Sequence, residues 1–131
     1  MPHYRFVFND LIFVVAGGAL GSALRYLVSV LTNYNTSSPF PYKTLLVNII
    51  GCFLAGFVFM YFEHHARYDH IRLFFLVGLL GAFTTFSTFS LETLMLYQDG
   101  HLKTALLNIV LSTFACLVSV SAGLWAGLSV R

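Results

Sequence analysis

Gly78-Leu79-Leu80-Gly81-Ala82-Phe83-Thr84-Thr85-Phe86-Ser87-Thr88-Phe89-Ser90 lies in the middle of a long apolar stretch, residues 71–97, and its reading decides what kind of chain this is. A helix of roughly 20 residues crosses a hydrocarbon core about 30 Å thick, so the stretch is long enough to span a membrane. Inside it, two glycines and a run of hydroxyl and β-branched residues weaken helix. Backbone freed at that depth is tolerated only against protein or a water-filled cavity, and unwound carbonyls there can hold a cation. The competing reading is a continuous helix whose Ser and Thr hydroxyls bond back to the preceding turn. Residue types alone leave both open.

Outward from this run, three more stretches have the same character: residues 9–32, 44–62 and 102–130. The first connection carries the helix-breaking Asn33, Asn35, Ser37, Ser38, Pro39 and Pro41. The second gathers Glu63, His64, His65, Arg67 and Asp69, and the third is the short Gln98-Asp99-Gly100-His101 turn. All are too short to fold separately, so residues 1–131 are expected to form a single transmembrane domain. Unpaired backbone groups are costly in lipid, and the alternating strands of a closed barrel are absent. The fold class is therefore all-α, with four transmembrane helices.

Composition agrees. The chain is 58% hydrophobic and 9% charged, whereas a soluble domain carries roughly a quarter of its residues as charge. Its net charge of +2 is scattered among short connections, with no run dense enough to track a phosphate backbone, which argues against nucleic acid as a partner. Cys52 and Cys116 both lie inside apolar stretches, where small polarisable side chains pack and no disulfide framework is needed. The first apolar run continues from Leu11 through Leu31, longer than a signal-peptide core of roughly 7 to 15 residues. Asp10 precedes it in place of a basic cluster, so it is expected to be a retained span.

Lys and Arg on short loops normally set orientation, and here they barely differ between sides. The termini and second connection share Arg5, Arg67, Arg72 and Arg131, while the other side has Lys43 and Lys103 with Arg25 nearer to it. A chain with so little bias can insert both ways round, and two opposed copies form a dimer with its two-fold axis in the membrane plane. A single orientation set by a few charges is the plain alternative.

Several polar residues lie inside the spans. Phe86 and Phe89, three apart, share a helical face, and an electropositive ring edge can receive a small anion without binding it as a full charge would. In a chain with 14 Phe, packing is the default for any pair. Thr85, Thr88 and Glu92 follow at steps of three and four, a polar track in which Glu92 is the carboxylate well inside a span. Asn48, with Thr44 one turn before it and Gly51 just after, offers two amide donors to an anion or, equally, an interhelical hydrogen bond. Asn108, Ser112, Cys116 and Ser119 make a thin polar stripe, in which Cys116 and Ser119 read mainly as packing. Gly17 with Gly21 and Gly123 with Gly127 have the spacing of close helix contacts. Arg25 must reach an interface, a partner or a wet vestibule, either to recruit anions or to anchor by snorkelling. His64, His65 and His70 lack a helical metal-ligand spacing, and no nucleophile stands beside a base, so no enzyme activity is expected.

Across essentially its whole length, the chain resembles the Fluc (CrcB-type) family of fluoride channels. The resemblance rests on Gly81 to Ser90 followed by Glu92, with Gly17-Gly18, Arg25, Thr44-Leu45-Leu46-Val47-Asn48-Ile49-Ile50-Gly51 and Ala105-Leu106-Leu107-Asn108. It implies an antiparallel, dual-topology homodimer in the inner (plasma) membrane. Two pathways, each built from both subunits, would export fluoride passively and give fluoride resistance. It implies a structural sodium ion (Na+) held by main-chain oxygens at a break in the third helix, carried over to Gly81 and Thr84 of each chain. Phe86 and Phe89 would line the pathways and Asn48 supply an amide donor; Ser87, Thr88 and Glu92 would continue a polar track, with Ser112 contributing from the fourth helix. Arg25 resembles the family's vestibule arginine. Lys43 departs from the pattern, standing where the family often has glycine. It either raises the local anion concentration or simply solvates the loop end. The competing function, a small multidrug-type proton-coupled exporter, would want a carboxylate central in the first span, and none is there.

Overall fold

The computed structural model describes residues 8–32, 38–63 and 69–130. Arg5, Asn33, Asn35, Ser37, His64, His65, Arg67 and Arg131 lie outside the described residues. Among the described residues the chain is all-helical: α1 (Phe8–Leu31), α2 (Tyr42–Phe62), α3 (Asp69–Arg72), a π-helix (Leu73–Leu80), α4 (Gly81–Phe83), α5 (Phe86–Gln98) and α6 (Leu102–Ser129). α3 to α5 run along one segment, so four segments, Phe8–Leu31, Tyr42–Phe62, Asp69–Gln98 and Leu102–Ser129, are long and apolar enough to cross a membrane. Their mean hydropathy is 1.7 to 2.3. The outward faces are apolar, with Val15, Val30, Leu106, Val110, Phe114 and Leu117 all exposed, and the buried apolar set is small. That is inside-out for water and right for lipid, and the protein is a multi-pass membrane protein.

The segment boundaries have local causes. α2 starts directly after Pro41, whose carbonyl accepts from Leu45 N at 3.2 Å as the first turn closes. α5 stops where Gly100 takes φ 82°, a left-handed value that glycine adopts without a Cβ clash. Gly100 N then donates to Tyr97 O at 3.1 Å and His101 N to Leu96 O at 2.8 Å. This paired closure satisfies the last carbonyls and turns the chain sharply into α6. At the opposite side of the bundle, His70 Nδ1 lies 2.9 Å from Asp10 Oδ1 and its ring stacks on Phe13 with centroids 4.9 Å apart, tying the start of α3 to the start of α1.

Two helix pairs form the body. α1 packs along the π-helix and α4, and α2 packs along α6. Lipid tails are as apolar as leucine, so helices associate here by close packing, which small residues permit. A Cβ on Gly17 would strike Phe74 O, and one on Gly21 would strike Leu79 O. Across the second pair, a Cβ on Gly56 would meet Val120 O, one on Gly123 would meet Phe53 O, and one on Gly127 would come to 2.8 Å from Phe57 O. The expected glycine pairs at 17/21 and 123/127 are thus contact positions. Ser119 Oγ adds a 2.7 Å bond to Ile49 O, the packing role its stripe suggested. The third span changes partner midway: its first half lies on α1, whereas α5 lies on α6. Wider π winding also precedes that change, with Gly81 N donating to Leu76 O, five residues back.

Candidate functional site

The partner change is centred on Thr84 and Thr85. Thr84 has φ −75° and ψ 158°, and Thr85 has φ −149° and ψ 110°, both extended. Asn48 of α2 holds this stretch from the side. Its Oδ1 accepts from Thr85 N at 2.8 Å, and its Nδ2 donates to Thr85 O at 3.2 Å. A primary amide is one of the few side chains able to serve a backbone N–H and C=O together. One of the two amide hydrogens considered as anion donors is therefore committed to Thr85, and one remains. Gly51, one turn after Asn48, lets Thr84 close onto α2, since a Cβ there would strike Thr84 Cγ2.

Thr85 also caps α5. Its Oγ1 accepts from Thr88 N at 3.0 Å and donates to Thr88 Oγ1 at 2.8 Å. An N-cap threonine satisfies one of the orphan amides of the first turn. These diversions alter the carbonyls upstream. In a continuous helix, Thr85 N would close on Gly81 O and Thr88 N on Thr84 O. Both donors are turned elsewhere, so Gly81 O and Thr84 O lose their helical partners. Leu80 O, by contrast, receives both Thr84 N at 3.0 Å and Thr84 Oγ1 at 2.9 Å.

Immediately after the extended pair come the two rings. Phe86 is 79% exposed in the single chain, and its centroid lies 5.5 Å from that of Phe89 at an interplanar angle of 42°. Ser87 is exposed beside them. A relay ends on the Phe89 carbonyl, and Thr93 is the member that the sequence did not single out: Thr93 Oγ1 donates to Phe89 O at 2.7 Å, Asn108 Nδ2 to Thr93 Oγ1 at 2.8 Å, and Ser112 Oγ to Asn108 Oδ1 at 3.0 Å. Asn108 is only 1% exposed. Its signal was an amide isolated in an apolar span, the same signal that marked Asn48. Ser112 lies one turn after Asn108 on α6, buried, with its hydroxyl donated to that amide.

A separate hollow of about 340 Å³ brings together Arg25, Thr44, Thr85, Thr88 and Glu92, with Lys43 beside them. Ser22 and Ser29 of α1 complete its wall and were missed because exposed helix serines usually bond their own backbone. Thr44 hydrogen-bonds the Glu92 side chain, whose Oε2 is buried without a hydrogen-bond partner. The Thr85–Thr88–Glu92 track therefore ends in a hollow holding two cationic side chains and one carboxylate. The described residues contain no group of three or more His, Cys, Asp or Glu suited to a metal ion, so any cation at this site must rely on other oxygens.

With this geometry in view, comparison with known proteins gives a consistent result. Residues 12–124 match the family described as CrcB-like protein, Camphor Resistance (CrcB). The chain is 45% identical over 115 residues to the Fluoride-specific ion channel FluC of Shewanella piezotolerans, covering 88% of this chain and 93% of that protein. A protein of the same name from Elusimicrobium minutum is 46% identical over 116 residues, covering 88% of this chain and 90% of its own length. These relatives are named as channels and not as enzymes. A match over most of both lengths, through the segment that carries Asn48, Thr85 and the paired rings, means that the chain belongs to the CrcB-like family.

Proposed function

We propose that this chain is a fluoride channel that works as two opposed copies, with an ion pathway at each Phe86–Phe89 surface. The carrying observation is the extended Thr84–Thr85 pair, held by Asn48 and followed at once by two phenyl rings. The relatives' shared name supports the choice of ion. Fluoride is small and strongly hydrated, so a low-dielectric crossing needs donors that replace water. The remaining Asn48 amide hydrogen, the Ser87 and Thr88 hydroxyls and the ring edges offer such donors while holding the ion weakly enough to leave. A negative-inside potential favours anion exit by about 2.3 kcal/mol per 100 mV, so passive flow suffices for export and for fluoride resistance.

The opposed pairing rests on the near-even charge distribution and on surfaces a single copy leaves bare. Phe86 and Gly81 are exposed where two copies can meet. The Gly81 and Thr84 carbonyls, relieved of their helical donors, fit a hard cation such as sodium, and two copies supply twice the oxygens of one. Such an ion would provide fixed positive charge beside the pathways. Asn48 and the Thr85 cap keep those carbonyls unpaired, and Gly81 places no side chain over them.

Purified protein in vesicles tests this directly, with fluoride efflux compared against chloride and a cationic dye. Fluoride release with chloride and dye retained is expected. Dye extrusion would point to the exporter class, and single-cysteine labelling that finds every copy facing one way would overturn the opposed pairing.

A further inference from the structure

The hollow around Arg25 and Glu92 has a neighbour. A second hollow of about 640 Å³ lies towards the end of the bundle, beside the α5–α6 turn and the start of α2, with Tyr42, Asp99 and His101 on its wall. Lys43 and Glu92 line both spaces, and no other residue does. One is on α2 and the other on α5, and Lys43 acts electrostatically on Glu92. The pair therefore stands where the two spaces adjoin. On the inner side the remaining cation is Arg25, with Tyr26 as the other titratable neighbour; on the outer side the charged and titratable groups are Tyr42, Asp99 and His101.

A bare carboxylate there would repel an approaching anion. An ammonium beside it cancels that repulsion where the two spaces meet, and clefts with low-dielectric walls focus the resulting field. We infer that Lys43 and Glu92 form a charge-compensated threshold for small anions, with Lys43 determining how readily an anion passes from the outer hollow to the inner one. This rests on the fluoride-channel reading for its substrate, but the threshold itself can be tested without fluoride.

Two measurements decide it. Fluoride efflux from vesicles at low ionic strength should fall about five-fold or more in Lys43→Met and lose its difference from wild type as salt rises. Independently of fluoride, Ser29→Cys in the inner hollow, in a chain carrying Cys52→Ala and Cys116→Ala, reports anion access through an anionic and a cationic methanethiosulfonate reagent. The anionic-to-cationic rate ratio should drop by about three-fold or more on Lys43→Met and return on adding Glu92→Gln. If Lys43→Met is poorly folded, Lys43→Arg, which should keep the ratio, set against Glu92→Gln, which should raise it, supplies the same contrast. An unchanged labelling ratio, or a lowered ratio that Glu92→Gln does not restore, overturns the threshold. Wild-type vesicles tight to fluoride would overturn the channel reading and leave the labelling ratios to decide the threshold.

Discussion

Residues 69–83 and 86–98 belong to one membrane span yet are held by opposite means. The first part is apolar, winds wide through Leu73–Leu80 and locks onto α1 where Gly17 and Gly21 let backbones touch. The second part carries hydroxyls, rings and Glu92, and is held by side-chain bonds reaching Asn48 and Asn108. Close packing without side chains leaves no freedom and no chemistry, whereas amide clamps fix the backbone but leave donors and ring edges over. The difference explains how a chain this small can be rigid in lipid and still present polar groups at mid-span.

Changes to the packed half should be the most severe. Gly21→Val drives a side chain into Leu79 O, and overpacking of this kind costs about 1–3 kcal/mol or more. Little monodisperse protein is expected from detergent extraction, and a normal yield would show that α1 and the π-helix can part. Asn48→Leu comes next. It strands the Thr85 N–H and C=O, each unsatisfied buried group costing about 1–3 kcal/mol, and should lower thermal stability and abolish fluoride flux together.

Asn108→Leu is a milder probe of the same half. It breaks the relay behind Phe89, and interhelical hydrogen bonds in lipid contribute about 0.6 to 2 kcal/mol. A modest drop in unfolding temperature is expected, with flux reduced because α5 is held less firmly on α6. Phe86→Ile should leave the packing within each chain intact, because the ring is largely exposed in the single chain, while cutting flux. Full flux from that variant would remove the ring-edge role. Ser90→Ala should do least of all: its hydroxyl merely bonds back to Phe86 O at 2.9 Å, and both melting and flux should match the wild type.

The spans were legible because apolar length is a strong signal in lipid. Residues 9–32, 44–62, 71–97 and 102–130 differ from the observed segments by two residues or fewer at each end. The glycine pairs were legible for the same reason, as spacing on a helix. The pairing of α1 with the first half of the third span and of α5 with α6 was not, since any apolar face suits lipid and any partner alike. Asn48 was singled out, but its pair of hydrogen bonds to the Thr85 backbone depends on Thr85 turning towards it, which no spacing encodes. Asn108 shows the reverse case: it was placed in a polar stripe of α6, and only its bond to Thr93 shows that it joins α6 to α5. Lys43 was visible as a departure, while its place between two hollows needed coordinates.

The central claim is that a dehydrated fluoride ion passes where Asn48 clamps the extended Thr85. Wild-type and Asn48→Leu protein, each confirmed folded and incorporated into vesicles at equal density, should be compared for fluoride and chloride efflux by ion-selective electrodes. The account predicts rapid fluoride loss with chloride retained for the wild type, and vesicles tight to both ions for the variant. Wild-type vesicles that hold their fluoride, or a variant that releases it at the wild-type rate, would contradict it.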